Sequence, residues 1–390
     1  MKRKIKVAIV SPYFLFPVDS GGRIRTFSLA HSLSQLDLEI HILAPLFTLH
    51  SSSIISINNN LKVYPINYPC AILPFLLGDR PFPFMFLASF HPGYRIIVRK
   101  YLKIFDIYQF EHASFADLTD YIPPQKIIIY DAHNVEYDYV KSECQTRFIE
   151  TVSLRKIYNL ENKLIQRSAK ILACSQENKE RFIELYHTDE KKISIIPNGI
   201  SHISIIKPIK EDIAIKIFPG LSRYKKRVLF SGSNVRHNWV AVKFILDKLA
   251  PQLRESCAFI IKGACAKKFR RYKSTNVFID PKNGSITPYA CTTSTVAINP
   301  ITQGSGTSLK VLEYLAHHLP VISTEFGMRG YDDLKPFVML SNLDGFAQAI
   351  LREYSFPKEA TQLLKKYLWS NIAVKLRNIY LSLWEKNKRS

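Results

Sequence analysis

The sequence predicts an α/β protein with two Rossmann-like, doubly wound parallel-sheet domains, and three observations support this fold class. At 390 residues the chain is longer than one typical domain. Apolar runs of strand length alternate with helical patterns in two consecutive series, one in each half of the chain. The hydrophobic fraction of 47% and the charged fraction of 22% are typical of a folded protein.

The first series begins with the apolar run Ile5–Val10 and continues with leucines at helical spacing and a second apolar run at Ile40–Leu43. This order is typical of a βαβ unit with parallel strands. Ser175 is predicted to cap a helix that ends near Tyr186. Further strands are predicted at Ile107–Phe110, Ile127–Tyr130, Ile171–Ala173 and Ile193–Ile196.

The second series begins at Val228–Phe230, and a helix is predicted around Trp239–Leu249. Further strands are predicted at Phe259–Ile261, Val277–Ile279, Val296–Ile298 and Val321–Ile322. The polar, proline-bearing stretch from about Asn198 to Lys226 is predicted to link the two domains. We therefore predict an N-terminal domain at 1–205, a C-terminal domain at 206–370 and a last helix at 371–390.

The chain is strongly basic, with 54 Lys and Arg against 32 Asp and Glu, for a net charge of +22. Such a charge favours anionic partners, which include nucleic acids, acidic lipid headgroups and phosphorylated substrates. The basic residues are spread along the chain, and no RNA-binding signature is present, so we expect no nucleic-acid partner. A nucleic-acid binder would show steep salt dependence on DNA or RNA.

The six cysteines lie far apart and form no C-x-x-C pair, so neither a zinc site nor a disulfide framework is indicated. This usage fits a reducing cytoplasm, which is the expected location. The apolar run after Met1-Lys2-Arg3-Lys4 is short and ends at Ser11-Pro12, so it is interpreted as a first strand rather than a signal peptide.

The region from Val63 to Tyr94 is rich in aromatic residues and proline. Neither apolar half reaches the about 20 residues that a membrane-spanning helix needs. Two interpretations stay open: a buried lobe of the first domain, or a patch that docks on an anionic membrane. In the second, the basic residues Arg95, Arg99, Lys100 and Lys103 would face acidic headgroups.

The run from Gln303 to Glu313 is the most informative stretch, because it combines a glycine-bent loop with the start of a helix. Gly304 and Gly306 let the backbone come close to a bulky ligand. Free N–H groups at a helix start favour an anion, and Lys310 adds a positive charge. Glu313 follows three residues later on the same face. The candidate N-caps are Ser305, Thr307 and Ser308. Spacing alone predicts a phosphate site here.

These residues also carry a resemblance. Gly-Ser-Gly-Thr-x-Leu-Lys-x-Leu-Glu before a Leu-Pro-Val-Ile strand resembles the donor-site segment of the retaining glycosyltransferases of family 4, which have the GT-B fold. Other motifs of that family recur in the same order, namely Gly21-Gly22-Arg23, Asp131-Ala132-His133-Asn134-Val135-Glu136, Ile196-Pro197-Asn198-Gly199-Ile200 and Leu229-Phe230-Ser231-Gly232-Ser233. The resemblance implies two domains facing a central cleft and a last helix that crosses back to the first domain.

For the donor, the resemblance implies a nucleotide-diphosphate sugar bound by Gly21, Gly22 and the 304–308 loop with Lys310. Glu313 matches the second acid of the family's E-x7-E signature, which is similar to a clamp on the ribose hydroxyls. The first acid of that signature is replaced by Ser305. The family's Arg and Lys after the second domain's first strand are also missing, since Ser233 stands at the arginine position. Arg236, or alternatively Lys243, is the candidate substitute.

For the acceptor, the resemblance implies a polar group near the end of the strand at Ile107–Phe110. Glu111 and His112 are adjacent there, and the sequence does not decide between them. His133 forms a second polar tip, while Arg23 and Arg25 could add charge near the glycine pair. We list Glu111, His112, His133 and Lys310 as catalytic candidates, because acid–base chemistry requires a group within hydrogen-bond reach.

No cofactor or metal is expected, because the chain has no D-x-D pair to hold a metal-bridged diphosphate. The resemblance then implies transfer with retention, in which the departing phosphate oxygen takes the acceptor proton. The expected partners are the nucleotide-sugar donor and a glycan or lipid-linked acceptor of cell-envelope or exopolysaccharide synthesis. The alternatives are a sugar-nucleotide epimerase of the same fold, which needs no acceptor, and a non-catalytic protein that binds nucleotide-sugar or lipid.

Overall fold

The computed structural model describes residues 3–13, 15–46, 54–67, 92–101, 103–143, 147–204, 213–290, 295–304, 306–353 and 355–389. The chain divides into two compact units. The first unit comprises Met1–Pro197 together with Trp369–Ser390, and the second unit is Asn198–Leu368. The boundary thus lies eight residues before the predicted end of the first domain at 205, and the final segment begins two residues before 371.

The first unit contains an eight-stranded sheet in the order β3-β4-β2-β1-β5-β6-β7-β8. Its neighbouring strands pair in parallel except β3 and β4, which are antiparallel. The strands are β1 (Ile5–Val10), β2 (Leu38–Leu46), β3 (Ile55–Asn58), β4 (Leu61–Asn67), β5 (Ile107–Phe110), β6 (Ile127–Ala132), β7 (Lys170–Ala173) and β8 (Ile193–Ile195). The parallel strands were all predicted from their apolar runs, with the exception of β4.

The helices of the first unit lie between successive strands in the chain, except α13, which follows the second unit. They are α1 (Gly21–Ser34), α2 (Pro92–Tyr101), α3 (Glu136–Glu143), α4 (Arg147–Arg167), α5 (Gln176–Tyr186) and α13 (Trp369–Arg389), with 3-10 helices at Ala113–Tyr121 and Glu190–Lys192. The predicted cap of α5 is confirmed, because the Ser175 side chain accepts a hydrogen bond from the Asn178 backbone N–H.

Both faces of the first sheet are covered, as a parallel sheet requires. Val7 and Ile9 of β1 face α1 and α13, whereas Ala8 and Val10 face the opposite core. The final helix α13 buries Trp369, Ile372, Ala373, Leu376 and Tyr380 in the first unit. The prediction that the last helix returns to the first domain is therefore confirmed.

The second unit contains a six-stranded parallel sheet in the order β11-β10-β9-β12-β13-β14. Its strands are β9 (Lys226–Ser231), β10 (Cys257–Lys262), β11 (Val277–Asp280), β12 (Thr295–Asn299), β13 (Val321–Ser323) and β14 (Met339–Leu340). Its α-helices are α6 (Ile213–Ile217), α7 (Arg236–Phe244), α8 (Ala250–Gln252), α9 (Thr287–Ala290), α10 (Leu309–Ala316), α11 (Phe346–Leu351) and α12 (Ala360–Leu364). A π-helix at Ile245–Leu249 joins α7 to α8. Shorter 3-10 helices lie at Pro219–Arg223, Ala264–Phe269, Phe326–Met328, Asp332–Phe337 and Lys365–Tyr367. The predicted fold class, two Rossmann-like parallel-sheet units, is confirmed.

The stretch from Asn198 to Lys226 is not a linker in its described part, which corrects the prediction. Ile200 pairs with Leu368, and Ala214 and Leu221 are buried in the core of the second unit. These apolar residues pack into the core and bury apolar surface. Polar residues lie between them, so no continuous apolar run marks them in the sequence.

The aromatic region between β4 and α2 falls largely on 68–91, which lies outside the described residues. On α2 the side chain of Ile96 is 63% exposed, and Arg99 and Lys100 are exposed beside it. Among the described helices, none is both long enough and apolar enough to cross a bilayer.

Candidate functional site

In the second unit, the glycine-bent loop lies where the sequence analysis predicts it, between β12 and α10. Gly304 and Gly306 have positive φ angles of 120° and 70°. The helix begins at Leu309. Ser305, a predicted donor-binding residue, lies outside the described residues.

Gly304 packs directly against the His237 ring of α7. A Cβ placed on Gly304 would lie 2.8 Å from His237 Nδ1. Both this contact and the left-handed backbone exclude a side chain at position 304. The loop is therefore held against the first turn of α7, a contact that the sequence did not predict.

Ser308 and Thr307, two of the predicted N-caps, make no capping hydrogen bond to the helix and bind side chains instead. Ser308 occupies the N-cap position, but its side chain makes no capping bond, and its Oγ accepts a hydrogen bond from Asn299 Nδ2 at 3.2 Å. Thr307 Oγ1 accepts hydrogen bonds from Asn198 Nδ2 at 2.8 Å and from the Tyr331 hydroxyl at 3.1 Å. Because a hydroxyl oxygen has two acceptor sites, Thr307 is left to act as a donor through its own O–H.

Lys310 is partly buried and contacts neutral groups. Its Nζ donates to Asn238 Oδ1 at 2.6 Å and lies 4.5 Å above the centre of the Phe230 ring. Burial, helped by the positive charge of Arg329, lowers the pKa of Lys310 to about 7. An anion bound beside this ammonium group would raise the pKa again, because an opposite charge favours the charged form.

Glu313 and Arg236, two further predicted donor-binding residues, have different surroundings. Glu313 is partly buried, and burial raises the pKa of its carboxyl, although the Ile286 backbone N–H and the Lys262 charge oppose that rise. Arg236 is exposed at the first position of α7, whereas the next residue, His237, faces Gly304. The prediction of Arg236 as a donor-binding residue thus gains no support from its position.

Sequence reasoning missed three residues around this loop: His237, Asn238 and Arg329. Burial first, and then the charges of Lys310 and Arg329, lower the pKa of His237 to about 3. The imidazole is therefore neutral at physiological pH. The position of His237 and Asn238 in the first turn after β9 was the signal that could have identified both residues.

In the first unit, Glu111 and His133 approach each other at the ends of β5 and β6. Glu111 Oε1 and His133 Nε2 are 3.9 Å apart, and both atoms are buried without a hydrogen-bond partner. This distance is too long for a direct hydrogen bond. It leaves two opposed polar atoms whose hydrogen-bonding capacity is unused.

The protonation of this pair follows from its burial. Glu111 is 1% exposed, and burial, together with the nearby charge of Asp131, raises the pKa of Glu111 to about 8. The Thr26 hydroxyl donates to Glu111 Oε2 at 2.6 Å and opposes the rise. Burial also lowers the pKa of His133 well below its ordinary value. At neutral pH both groups are predominantly uncharged, so either can exchange a proton with a ligand hydroxyl.

His112 has a structural role through one of its ring nitrogens. Its Nδ1 accepts a hydrogen bond from the Ser114 backbone N–H at 3.0 Å and thereby caps the 3-10 helix at Ala113–Tyr121. Its Nε2 lies 3.0 Å from Glu136 Oε2, and both side chains are 1% exposed. Of the two adjacent candidates, Glu111 is therefore the one that lies beside His133.

The predicted pair Gly21 and Gly22 begins α1, and Gly22 contacts Tyr13. A Cβ on Gly22 would lie 2.5 Å from the Tyr13 ring. The Tyr13 ring in turn stacks on His133 with ring centres 5.6 Å apart, and its hydroxyl lies 3.3 Å from His133 Nδ1. Because Gly22 has no side chain, the Tyr13 ring can lie against its backbone and stack on His133.

Arg25, which we expected to add charge, instead forms a buried ion pair. Its Nη2 lies 2.6 Å from Asp131 Oδ1, and its Nη1 donates to the Pro197 backbone oxygen at 3.1 Å. Gln109 Nε2 donates to the second oxygen of Asp131 at 3.1 Å. This network holds the end of β6 and the neighbouring His133 in place. By contrast, Arg23 pairs with Asp19 at 2.8 Å.

Glu111, Asp131 and His133 also form the only group in the described part of the chain whose acidic and imidazole atoms could hold a metal ion, because these atoms lie within 4.8 Å of one another. Asp131 already accepts from the Arg25 guanidinium and from Gln109 through its two oxygens. A divalent cation would have to compete with the Arg25 guanidinium and the Gln109 amide for this carboxylate, so the donor set does not favour a metal.

Two family models match the chain. Residues 20–202 match the model described as Glycosyltransferase Family 4, and residues 225–355 match the model described as Glycosyl transferases group 1. The first match covers most of the first unit and the second covers most of the second unit. No sequence among curated proteins matches this chain.

Solved structures resemble the chain over nearly its whole length. Sucrose-phosphate synthase from Thermosynechococcus elongatus superposes with a TM-score of 0.76 at 13% identity, over 98% of this chain and 100% of that chain. HepE from Anabaena, solved in complex with UDP-glucose, gives a TM-score of 0.61 at 14% identity, over 99% of this chain and 98% of that chain. WaaG, a glycosyltransferase involved in lipopolysaccharide biosynthesis, gives 0.63 at 15% identity, with 94% of both chains covered. At these identities the likeness establishes the fold alone.

Proposed function

Since this chain belongs to the family 4 glycosyltransferases of the GT-B fold, we propose that it transfers a sugar from a nucleoside-diphosphate sugar to a glycan or lipid-linked acceptor. We place the donor on the second unit and the acceptor on the first. The proposal includes retention of configuration, no need for a metal, and a role in cell-envelope or exopolysaccharide synthesis.

The observation that carries the donor assignment is the environment of Lys310. Its ammonium group has a neutral amide and an aromatic ring as partners, beside a loop with two positive-φ glycines. A diphosphate leaving group gains negative charge as the glycosidic bond breaks, and fixed cations and N–H dipoles stabilise that charge. The Thr307 O–H adds a donor, and Glu313 is proposed to bind the ribose hydroxyls.

The acceptor assignment is supported by the pair Glu111 and His133. A hydroxyl placed within hydrogen-bond reach of both would be oriented by two buried groups that can exchange protons at neutral pH. In the proposed mechanism these residues position the acceptor, and the departing phosphate oxygen takes its proton. No second carboxylate at glycosidase spacing is then needed.

The function is tested with a panel of nucleoside diphosphates and their sugar conjugates, beginning with UDP and UDP-glucose because HepE was solved with them. We expect one nucleoside diphosphate to raise the melting temperature in the presence of EDTA, since a ligand that binds only the native state stabilises it. Its sugar conjugate should then label a lipid or glycan acceptor, and the anomeric configuration of the product should match the donor.

The alternatives give different results in the same assay. Conversion of the donor without any acceptor would indicate an epimerase, while binding without turnover would indicate a non-catalytic protein. Loss of activity in EDTA that Mg²⁺ restores would contradict metal independence. If no nucleotide binds, the donor assignment is wrong.

We also propose that the protein acts in the cytoplasm at the inner face of a membrane, where α2 contacts anionic lipid. The support is the exposed Ile96 beside the basic residues Arg99 and Lys100. We expect the full chain to cosediment with vesicles containing phosphatidylglycerol and the R99E/K100E variant to lose most of this binding. The matched R352E/K358E variant, which changes two exposed basic residues of the second unit, should bind like the wild type. Equal binding to purely zwitterionic vesicles would contradict the proposal.

A further inference from the structure

We propose that Arg329 binds the diphosphate of the donor together with Lys310, so that the arginine of this site comes from the loop after β13. This inference rests on the proposed function and makes it more specific. In this assignment Arg329 takes the role that the sequence analysis gave to Arg236, which is exposed at the start of α7. It also accounts for the serine at position 233, where the related family carries an arginine.

Hydrogen bonds on both sides of Arg329 fix its loop against the start of α10. On the N-terminal side, Asn299 Nδ2 donates to the Gly327 backbone oxygen at 2.9 Å and also contacts Ser308 Oγ at 3.2 Å. On the C-terminal side, the Tyr331 hydroxyl donates to Thr307 Oγ1 at 3.1 Å. Arg329 lies midway between these two anchors, so its backbone is held beside the glycine-bent loop.

The packing around the first anchor leaves no room for a side chain at position 327. Asn299 is fully buried at the end of β12. A Cβ on Gly327 would lie 2.4 Å from Ser323 Oγ and 2.5 Å from Asn299 Nδ2. Gly327 therefore lets the chain pass close to Asn299 two residues before Arg329, and a larger residue at 327 would displace this segment.

The guanidinium group of Arg329 is oriented by its neighbour Phe326. It lies 4.2 Å from the centre of the Phe326 ring, and its Nη1 donates to the Phe326 backbone oxygen at 3.2 Å. Stacking on an aromatic face fixes the plane of an arginine without neutralising it. A fixed guanidinium plane is the form of cation that binds two phosphate oxygens at once.

Arg329 and Lys310 carry charges of the same sign. Arg329 disfavours the protonated forms of both Lys310 and His237, which places these three side chains within electrostatic reach of one another. Two cations held together in a partly buried site repel each other, and a polyanion removes that repulsion. A diphosphate has the two adjacent charged groups that a lysine and an arginine can bind separately, whereas a single phosphate can satisfy them less completely.

The test compares diphosphates with monophosphates in Arg329→Gln. We expect the variant to lose at least about tenfold in affinity for UDP and for inorganic pyrophosphate, equivalent to about 1.4 kcal/mol. Its affinities for UMP and orthophosphate should change by less than about threefold. Arg329→Lys should recover part of the loss. The matched variant Arg236→Gln should bind all four ligands like the wild type.

A merely structural role of Arg329 would lower all four affinities together, or lower the melting temperature, and would overturn the inference. Unchanged pyrophosphate and UDP binding in Arg329→Gln would also overturn it, while leaving the proposed function intact. If the wild type binds neither pyrophosphate nor any nucleoside diphosphate, both this inference and the donor assignment fail. A catalytically active wild type whose UDP affinity depends on Arg236 instead would restore the sequence-based assignment.

Discussion

Lys310→Ala should lower kcat/KM for transfer by about 10²- to 10³-fold, because removing one preorganised group that stabilises developing charge costs roughly 3 to 4 kcal/mol. The fold should remain intact. Lys310 is held near an aromatic ring and an amide, and desolvation already disfavours its charge. Its removal should therefore leave the melting temperature unchanged or slightly higher, as is common when a functional charge is deleted.

The control for this variant is Lys335→Ala, which removes a lysine of the same unit whose ion pairs with Asp332 and Glu325 lie at the surface. Exposed pairs contribute about 0 to 1 kcal/mol, so this variant should keep full activity. Equal turnover in Lys310→Ala and the wild type, with the same donor and acceptor, would remove Lys310 from the site.

A second measurement on the same residue follows from its pKa. In the unliganded protein the pKa of Lys310 is about 7, so at pH 8 the amine is mostly neutral. A diphosphate favours the protonated form and raises that pKa, so binding above pH 7 should take up a proton. Affinity should accordingly fall as the pH rises above about 7, where a terminal phosphate with a pKa of about 6 is already ionised.

Calorimetry in two buffers of different ionisation enthalpy at pH 8 would detect this uptake. Lys310→Arg keeps the charge at all pH values used, so it should bind without proton uptake and with an affinity that does not change between pH 7 and 9. A wild-type affinity that is constant over that range would show that the Lys310 amine does not contact the ligand.

Asp131→Asn should produce the largest loss of stability, about 3 kcal/mol or more in the free energy of unfolding of the first unit. The Arg25 guanidinium is 1% exposed and the Asp131 carboxylate is fully buried, with 2.6 Å between Nη2 and Oδ1. Removing one charge of a buried pair leaves the other without compensation, which costs about 3 to 5 kcal/mol. Asparagine keeps the shape of the side chain, and its amide oxygen can still accept from Gln109. Its NH2 group then faces the Arg25 donors, so the loss reports the missing charge together with one missing acceptor.

The control is the double variant R25M/D131N, in which both charges are absent. Most of the lost stability should return, because a buried pair can be replaced by uncharged groups of similar volume at little cost. A double-mutant cycle on chemical unfolding, monitored in the first unit, measures the coupling. If the double variant is as unstable as the sum of the two single variants, the pair is not coupled and the argument fails.

Most of the parallel strands could be anticipated because apolar runs mark buried parallel strands directly. Ile5–Val10 and Ile107–Phe110 coincide with β1 and β5 at both ends. The hairpin of β3 and β4 was missed because no residue of β3 is fully buried and buried residues of β4 alternate with half-buried ones, which weakens the apolar pattern. The stretch after Asn198 was misassigned because its few buried residues, such as Ala214 and Leu221, are separated by charged ones.

Candidate site residues could be predicted where they belong to one short motif, as they do from Gly304 to Glu313. Residues that join the site from distant parts of the sequence could not be predicted. His237 contacts Gly304 only through the packing of α7, and Arg329 reaches the loop through the bonds of Asn299 and Tyr331. Adjacent residues were equally ambiguous: Glu111 and His112 differ by one position, yet one faces His133 and the other caps a helix.

The return of α13 to the first unit sets the order in which this molecule is completed during synthesis. The apolar surface of α1, including Leu29 and Leu33, packs in the same core as Leu376 and Tyr380. Those partners leave the ribosome only after all of Asn198–Leu368 has been translated, roughly 10 to 30 seconds later at common elongation rates. The second unit is contiguous and can reach its native state first. Until α13 is synthesised, the first unit exposes the apolar surface of α1, which favours binding by a chaperone.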